Sequence, residues 1–246
     1  MTQLRAVLFD LDDTLFSTTA FAKKARLNAV RGMIRAGLDL PEEEVLRELS
    51  EVISEFTSNY DRHLDQLLRR LRPKALQRVN PAVLVASGVA AYHDTKFREL
   101  APFEDVKPFL EDLRKAGMRR GIITHGRTTK QAEKLIRLGL LPHLDADAIF
   151  ISEQIGISKP NPKLYATALR DLGLDPLEAM YVGDNPAHDI APPHSLGMVT
   201  VWAKRSARRL LTDKDVQPDH IIADFSELRT ILRERYGVAI PVSLSV

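Results

Sequence analysis

Three carboxylates fall within four residues near the N-terminus, at Asp10, Asp12 and Asp13, directly after the apolar run Ala6 to Phe9. Such a run reads as a strand buried on both faces. Strand side chains alternate, so Asp10 and Asp12 are expected to leave its C-terminal end in one direction while Leu11 turns inward. Two carboxylates aimed at one spot repel, and a cation between them relieves the repulsion. Two readings stay open on these residues alone: a metal-supported acidic site at the carboxyl edge of a parallel sheet, where open α/β folds bind ligands, or an acidic turn after a strand.

The elements that must position them follow along the chain. Residues 17–98 carry helical spacing throughout, for example Leu64, Leu67, Leu68 and Leu71 at i, i+3, i+4, i+7, with Pro41 and Glu42 to Glu44 opening one helix and Pro73 ending another. From residue 105 strand and helix alternate. Helices are expected at 108–116, 128–138, 162–172 and 225–236, the first three closed by Gly117, Gly139 and Gly173, and strands at 118–124, 148–152, 179–182, 198–202 and 220–223. Regular alternation implies βαβ units and a parallel sheet with right-handed crossovers.

In such a sheet every strand delivers its last residues to one edge. Asp10 and Asp12 arrive there from the first strand, Thr124, His125 and Gly126 from the second, Lys159 from the loop after the third, and Asp184 from the fourth, with Asp189 beyond it. Carboxylates with one hydroxyl and one ammonium suit a phosphoryl group and a hard divalent ion. Mg²⁺ takes oxygen ligands and is commonly held by one or two carboxylates plus the substrate phosphate, a role open to Asp10 and Asp184. Taken singly each residue has a plainer reading: Thr124 as a strand end, Lys159 as a surface lysine, Asp189 as an N-cap.

Composition narrows the field. The 246 residues are 44% hydrophobic and 28% charged, enough for one or two globular domains with a sizeable core. Lys plus Arg number 35 against 33 Asp plus Glu, so no strong field favours nucleic acid or an acidic membrane. The absence of Cys excludes disulfides and thiolate metal sites, and the seven His show no zinc-ligand spacing. No apolar run reaches the roughly 20 residues of a spanning helix, and no leader pattern precedes the first strand, so a cytoplasmic protein is expected.

The order of these residues resembles the haloacid dehalogenase superfamily of phosphatases. Phe9-Asp10-Leu11-Asp12-Asp13-Thr14-Leu15 is similar to its first motif, Ile122-Ile123-Thr124-His125-Gly126 to its second, Lys159-Pro160 to its third and Val182-Gly183-Asp184 through Asp189-Ile190 to its fourth. The helical insert resembles the cap of subfamily I, and segments within it resemble archaeal magnesium-dependent phosphatases. The resemblance implies an α/β fold, a three-layer Rossmann-like core with a parallel sheet over 1–16 and 99–246, and an all-helical cap over 17–98 that closes over the site. It implies a Mg²⁺-dependent phosphatase acting on a small-molecule phosphate monoester through an aspartyl-phosphate. Asp10 would be the nucleophile and Asp12 the general acid and base. Asp184 would bind Mg²⁺ with Asp10, the Asp12 carbonyl and Asp189, the last through a water or by orienting Lys159. Thr124, Lys159, His125, Gly126 and the backbone N–H groups of Asp13 and Thr14 would hold the phosphate, with no job for the Asp13 side chain.

Two departures stand out: His125 where Asn is common, and Pro192-Pro193 where Gly-Ala is common. Alternatives within the superfamily are a phosphomutase and a dehalogenase, the latter disfavoured by Asp12. Outside it stands a non-catalytic phospho-acceptor or interaction protein. Asn59, Tyr60, His63, Arg69 and Tyr92 of the insert are candidates for substrate selection. A homodimer through the cap or the apolar tail from Ile240 is a further expectation; nucleic-acid and membrane partners are not expected.

Overall fold

The computed structural model describes residues 3–56, 60–71 and 79–240. Asn59, Pro73 and the tail beyond Ile240 lie outside them, while Ile240 itself is buried. From the N-terminus come β1 (Ala6–Phe9), α1 (Thr18–Arg35), α2 (Glu42–Phe56), α3 (His63–Arg70), α4 (Pro81–Glu99) and α5 (Val106–Lys115). Then follow β2 (Arg119–Thr124), α6 (Thr128–Arg137), β3 (Ile149–Ile151), α7 (Ser152–Ile155) and α8 (Pro162–Leu172). The last elements are β4 (Ala179–Gly183), α9 (Ala191–Ser195), β5 (Val199–Ala203), β6 (His220–Ile222) and α10 (Phe225–Tyr236). The six strands form one sheet in the order β3-β2-β1-β4-β5-β6, every pair parallel.

β1 lies between β2 and β4, with Phe9 in register with Ile122 on one side and Val182 on the other. All four of its residues are buried, which explains a continuous apolar run in place of alternation. Ala6 and Leu8 face one layer, packing with Leu164, Tyr165 and Ala168 of α8. Phe9 faces the other, edge-on to Phe109 of α5 and Phe225 of α10, which stack on each other at 5.0 Å. Helices therefore cover both faces in a three-layer α/β arrangement, as the strand and helix alternation implies.

The chain divides into two compact units, 1–18 with 101–246 and 19–100. The second unit is all helical and has its own core of Val30, Met33, Val45, Leu49, Leu67, Leu68 and Leu84. Along α4 the buried positions are Leu84, Gly88 and Thr95, while Val89 and Phe97, apolar in the sequence pattern, are exposed. Gly88 explains the choice of face: a Cβ there would lie 2.7 Å from Leu64 and 2.9 Å from Met33, so the backbone packs where no side chain fits. No helix among the described residues is long and apolar enough to cross a membrane.

Candidate active site

β1 stops at Phe9, and the next residues leave the pleat. The Asp10 N–H still donates to the Val182 carbonyl of β4 (2.8 Å), fixing Asp10 at the carboxyl edge in the middle of the sheet. Asp13 then adopts φ +57, a left-handed conformation that Asp tolerates better than most residues. Strand alternation ends here, and Asp10 and Asp12, near enough for the Asp12 charge to raise the Asp10 carboxyl, take different cations. Each of the three carboxylates meets its own cation. Lys159 Nζ donates to Asp10 Oδ1 (2.6 Å), Lys134 Nζ reaches both Asp12 oxygens (2.6 and 2.7 Å), and Arg208 Nε donates to Asp13 Oδ2 (2.9 Å).

Lys159 is buried and satisfied threefold, donating also to Asp189 Oδ1 (2.7 Å) and to the Tyr181 hydroxyl (2.7 Å), which itself donates to the Ile123 carbonyl. Burial works against its charge, but Asp10 and Asp189 outweigh that and keep it an ammonium. The second Asp189 oxygen accepts from the Asn185 N–H (2.9 Å), so Asp189 orients Lys159 and the loop rather than acting as an N-cap for the helix that follows. Gly183 makes this possible, because a Cβ there would sit 2.3 Å from Asp189 Cβ. Trp202 of β5 donates its indole N–H to the Asp184 carbonyl (2.7 Å) and secures the other side of that turn.

The Pro192-Pro193 departure has a structural counterpart. Residues 186–190 wind as one wide π-type turn before α9. The His188 carbonyl would accept from residue 192 or 193 in a regular continuation, and neither proline has an N–H. The Tyr165 hydroxyl donates to it instead, at 2.5 Å.

One oxygen each from Asp10, Asp184 and Asp189 lies within 4.8 Å of the others. Burial, helped by Asp189 and Asp12 and opposed by Lys159, pushes the Asp10 carboxyl up to about 7. Burial, together with Asp189, Asp10 and Asp13 and against Lys159, pushes Asp184 up to about 8. Lys159 is one cation against three carboxylates, so the cluster is short of positive charge. Both Asp189 oxygens are engaged, and among the described residues no donor holds the Asp184 carboxylate or Asp10 Oδ2. An oxygen-only, carboxylate-rich set of this kind fits a hard divalent cation.

Asp12 stands apart from this trio. Its Oδ1 also accepts from Thr18 Oγ1 (2.7 Å) and its Oδ2 from Gln131 Nε2 (2.9 Å). Burial alone pushes its carboxyl up, but Lys134 and the hydrogen bonds of Gln131 and Thr18 prevail and hold it below the usual carboxylate range. Thr124 is fully buried at the end of β2, its Oγ1 accepting from Gln131 Nε2 at 2.7 Å. The Gly126 N–H donates to Ser152 Oγ (2.9 Å), so that amide already has a partner. His125 is exposed, with Nδ1 2.8 Å from Ser158 Oγ; burial of part of the ring, then Lys159 and His188, lower its pKa. Thr14 Oγ1 is buried with no hydrogen-bond partner among the described residues.

Lys134, Gln131 and Arg208 are site contacts that the motif pattern does not single out. Gln131 carries a signal: it lies four and seven residues before Leu135 and Leu138, on the core-facing stripe of α6, where a polar residue calls for a partner. Lys134 and Arg208 look like any charged helix or loop residue. In the helical unit, Tyr60 stacks on Phe56 and meets the edge of His63, and Tyr92 packs edge-on to Phe21, while Arg69 is exposed.

A doubly wound parallel sheet with a lysine-paired carboxylate on its central strand and an acidic trio at the same edge defines an α/β enzyme with an acidic, metal-competent site. The model of the haloacid dehalogenase-like hydrolases matches residues 4–197, and the chain belongs to that family. The glyceraldehyde 3-phosphate phosphatase of Methanopyrus kandleri is 48% identical over 240 residues, covering 94% of this chain and 98% of that protein. The protein of the same name from Methanothermobacter thermautotrophicus is 40% identical over 93% of this chain and 100% of its own. Among solved structures, a phosphatase of this family from Thermococcus onnurineus superposes with a TM-score of 0.65 at 27% identity, covering 93% of this chain and 98% of that one. The chain is a phosphatase of the haloacid dehalogenase type.

Proposed function

We propose that the protein is a Mg²⁺-dependent phosphatase that hydrolyses a small phosphate monoester through an aspartyl-phosphate on Asp10, with glyceraldehyde 3-phosphate as the first substrate to test. The observation that carries the chemistry is the central-strand carboxylate held by buried Lys159 beside Asp184. The substrate comes from the names of the two relatives.

An Asp10 oxygen attacks phosphorus in line, and the bond from phosphorus to the ester oxygen breaks. Asp12 gives its proton to the departing alkoxide, then takes one from the water that attacks the aspartyl-phosphate, releasing phosphate and restoring Asp10. The free site holds Asp12 ionised, the form the second step needs, and the negative charge of a bound phosphoryl group raises its proton affinity for the first. Lys159 and the Thr124 hydroxyl supply positive charge and a donor to the phosphoryl oxygens. Asp10 and Asp184 would hold Mg²⁺, which neutralises charge on the transferring group and keeps Asp10 ionised. We read the helical unit 19–100 as the part of the chain that selects the substrate, on its resemblance to a subfamily I cap.

Purified protein is expected to release phosphate from p-nitrophenyl phosphate with Mg²⁺ and to stop with EDTA. A panel of phosphorylated metabolites should place glyceraldehyde 3-phosphate among the best substrates. Full activity in Asp10→Asn sinks the mechanism, and activity on other esters with none on glyceraldehyde 3-phosphate sinks the substrate assignment alone.

A further inference from the structure

Nothing in the motif set accounts for the contacts that α6 makes at the site. Gln131 and Lys134 lie three residues apart, hence on one helix face. That face is turned to the strand ends. Gln131 is almost wholly buried, and its Nε2 lies 2.9 Å from Asp12 Oδ2, 2.7 Å from Thr124 Oγ1 and 2.7 Å from the His125 carbonyl. The carboxylate and the carbonyl can only accept, so the amide must present its NH₂ end here. Its two hydrogens serve three acceptors, which ties the first and second strand ends together. With Gln131 donating to Thr124 Oγ1, the threonine keeps its own hydrogen for another acceptor.

Lys134 completes the grip. Its ammonium contacts both Asp12 oxygens and lies 5.9 Å from the centre of the Phe16 ring. Counting Thr18, each Asp12 oxygen has two donors, which removes the torsional freedom a carboxylate otherwise has. A side chain that must first meet a leaving oxygen and then a water gains from being held in one place. A burial-driven core role for Gln131 alone does not explain why its donors converge on two groups of the reaction.

We propose that Gln131 and Lys134 are positioning residues: α6 clamps the Asp12 carboxylate and orients the Thr124 hydroxyl, so that proton donor and phosphoryl donor keep a fixed relation. The inference rests on the reading of Asp12 as the proton donor, and the experiment separates the two.

Gln131→Met, Lys134→Met and Lys134→Arg are compared with wild type and Asp12→Asn on two esters. One is p-nitrophenyl phosphate, whose phenolate departs without a proton. The other is the alkyl phosphate that the wild type turns over best. Because kcat/KM ends with the first irreversible step, it isolates departure of the leaving group from the later hydrolysis. Loss of the Asp12 clamp in Lys134→Met lowers kcat/KM by about 100-fold on the alkyl ester and by only about threefold on the aryl ester, with Lys134→Arg recovering most of the loss; Gln131→Met, which also releases the Thr124 hydroxyl, loses on both esters and about tenfold more on the alkyl one. A purely structural role lowers both esters alike, and equal losses overturn the proposal. Asp12→Asn must show the same split between esters; if it does not, Asp12 is not the donor and the inference falls with that reading. If Asp12→Asn splits the esters while Gln131→Met and Lys134→Met match wild type on both, the clamp alone is refuted. Urea unfolding of each variant identifies any that fails to fold, and Lys134→Arg, which keeps the charge, then carries the comparison through its own ratio of the two kcat/KM values: a ratio shifted against the alkyl ester supports the clamp and an unchanged one overturns it.

Discussion

Replacing Asp184 by Asn should make the metal-free protein more stable at alkaline pH while removing its response to Mg²⁺. Burial and the neighbouring carboxylates push the Asp184 carboxyl from 3.8 up to about 8, so the folded chain binds a proton there that the unfolded chain has already released. Stability from this group is fully present below the unfolded value. It falls as pH rises and is lost once pH passes the folded value, because over that window the native state holds more protons. That difference, at roughly 1.4 kcal/mol per pH unit, gives an upper limit of about 6 kcal/mol. Asp184 is only partly buried, and solvent screening brings the expected cost to about 2–3 kcal/mol. For a chain of this size that is a shift of roughly 5–10 °C in Tm. Thermal unfolding in EDTA from pH 4 to pH 9 should show the two proteins converging at the acid end and Asp184→Asn melting higher at the alkaline end. Adding Mg²⁺ at pH 9 should raise the wild type and leave the variant unmoved. A variant no more stable than wild type at pH 9, or one that gains equally from Mg²⁺, refutes the account of a cluster short of positive charge.

Lys159→Met strands Asp10 and Asp189 in a buried site, and urea unfolding at pH 7 should register a loss of about 3–5 kcal/mol, shrinking as acid protonates the pair. Turnover should vanish in the same variant. Gly183→Ala drives a methyl into the Asp189 side chain, and the same assay should give a loss of about 1–3 kcal/mol, with phosphate release falling further than stability does.

The sequence by itself determined most of what is local. A short apolar run that stops at a polar turn reads as a strand covered on both faces, so Ala6–Phe9 placed β1 and Asp10 at its end. Helices closed by glycine at 139 and 173 were legible because those positions take positive φ. With the strands parallel, their polar ends were bound to gather at one edge, which brought Lys159, Asp184 and Asp189 to Asp10. Tertiary structure alone decided which charge meets which. Asp12 and Lys134 are 122 residues apart and Asp13 and Arg208 are 195 apart, and nothing in a local pattern distinguishes those cations from solvated ones. Pairing at that separation is set by crossover geometry and by the turn at Asp13, where the strand period stops. The Asp13 side chain, idle in the sequence reading, is buried against Arg208, and Asp12, while still close enough to Asp10 to raise its pKa, is held by Gln131 and Lys134 of α6. The three adjacent carboxylates were visible from the start. Their separate partners depend on where the fold brings distant cations, and a one-dimensional pattern does not carry that information.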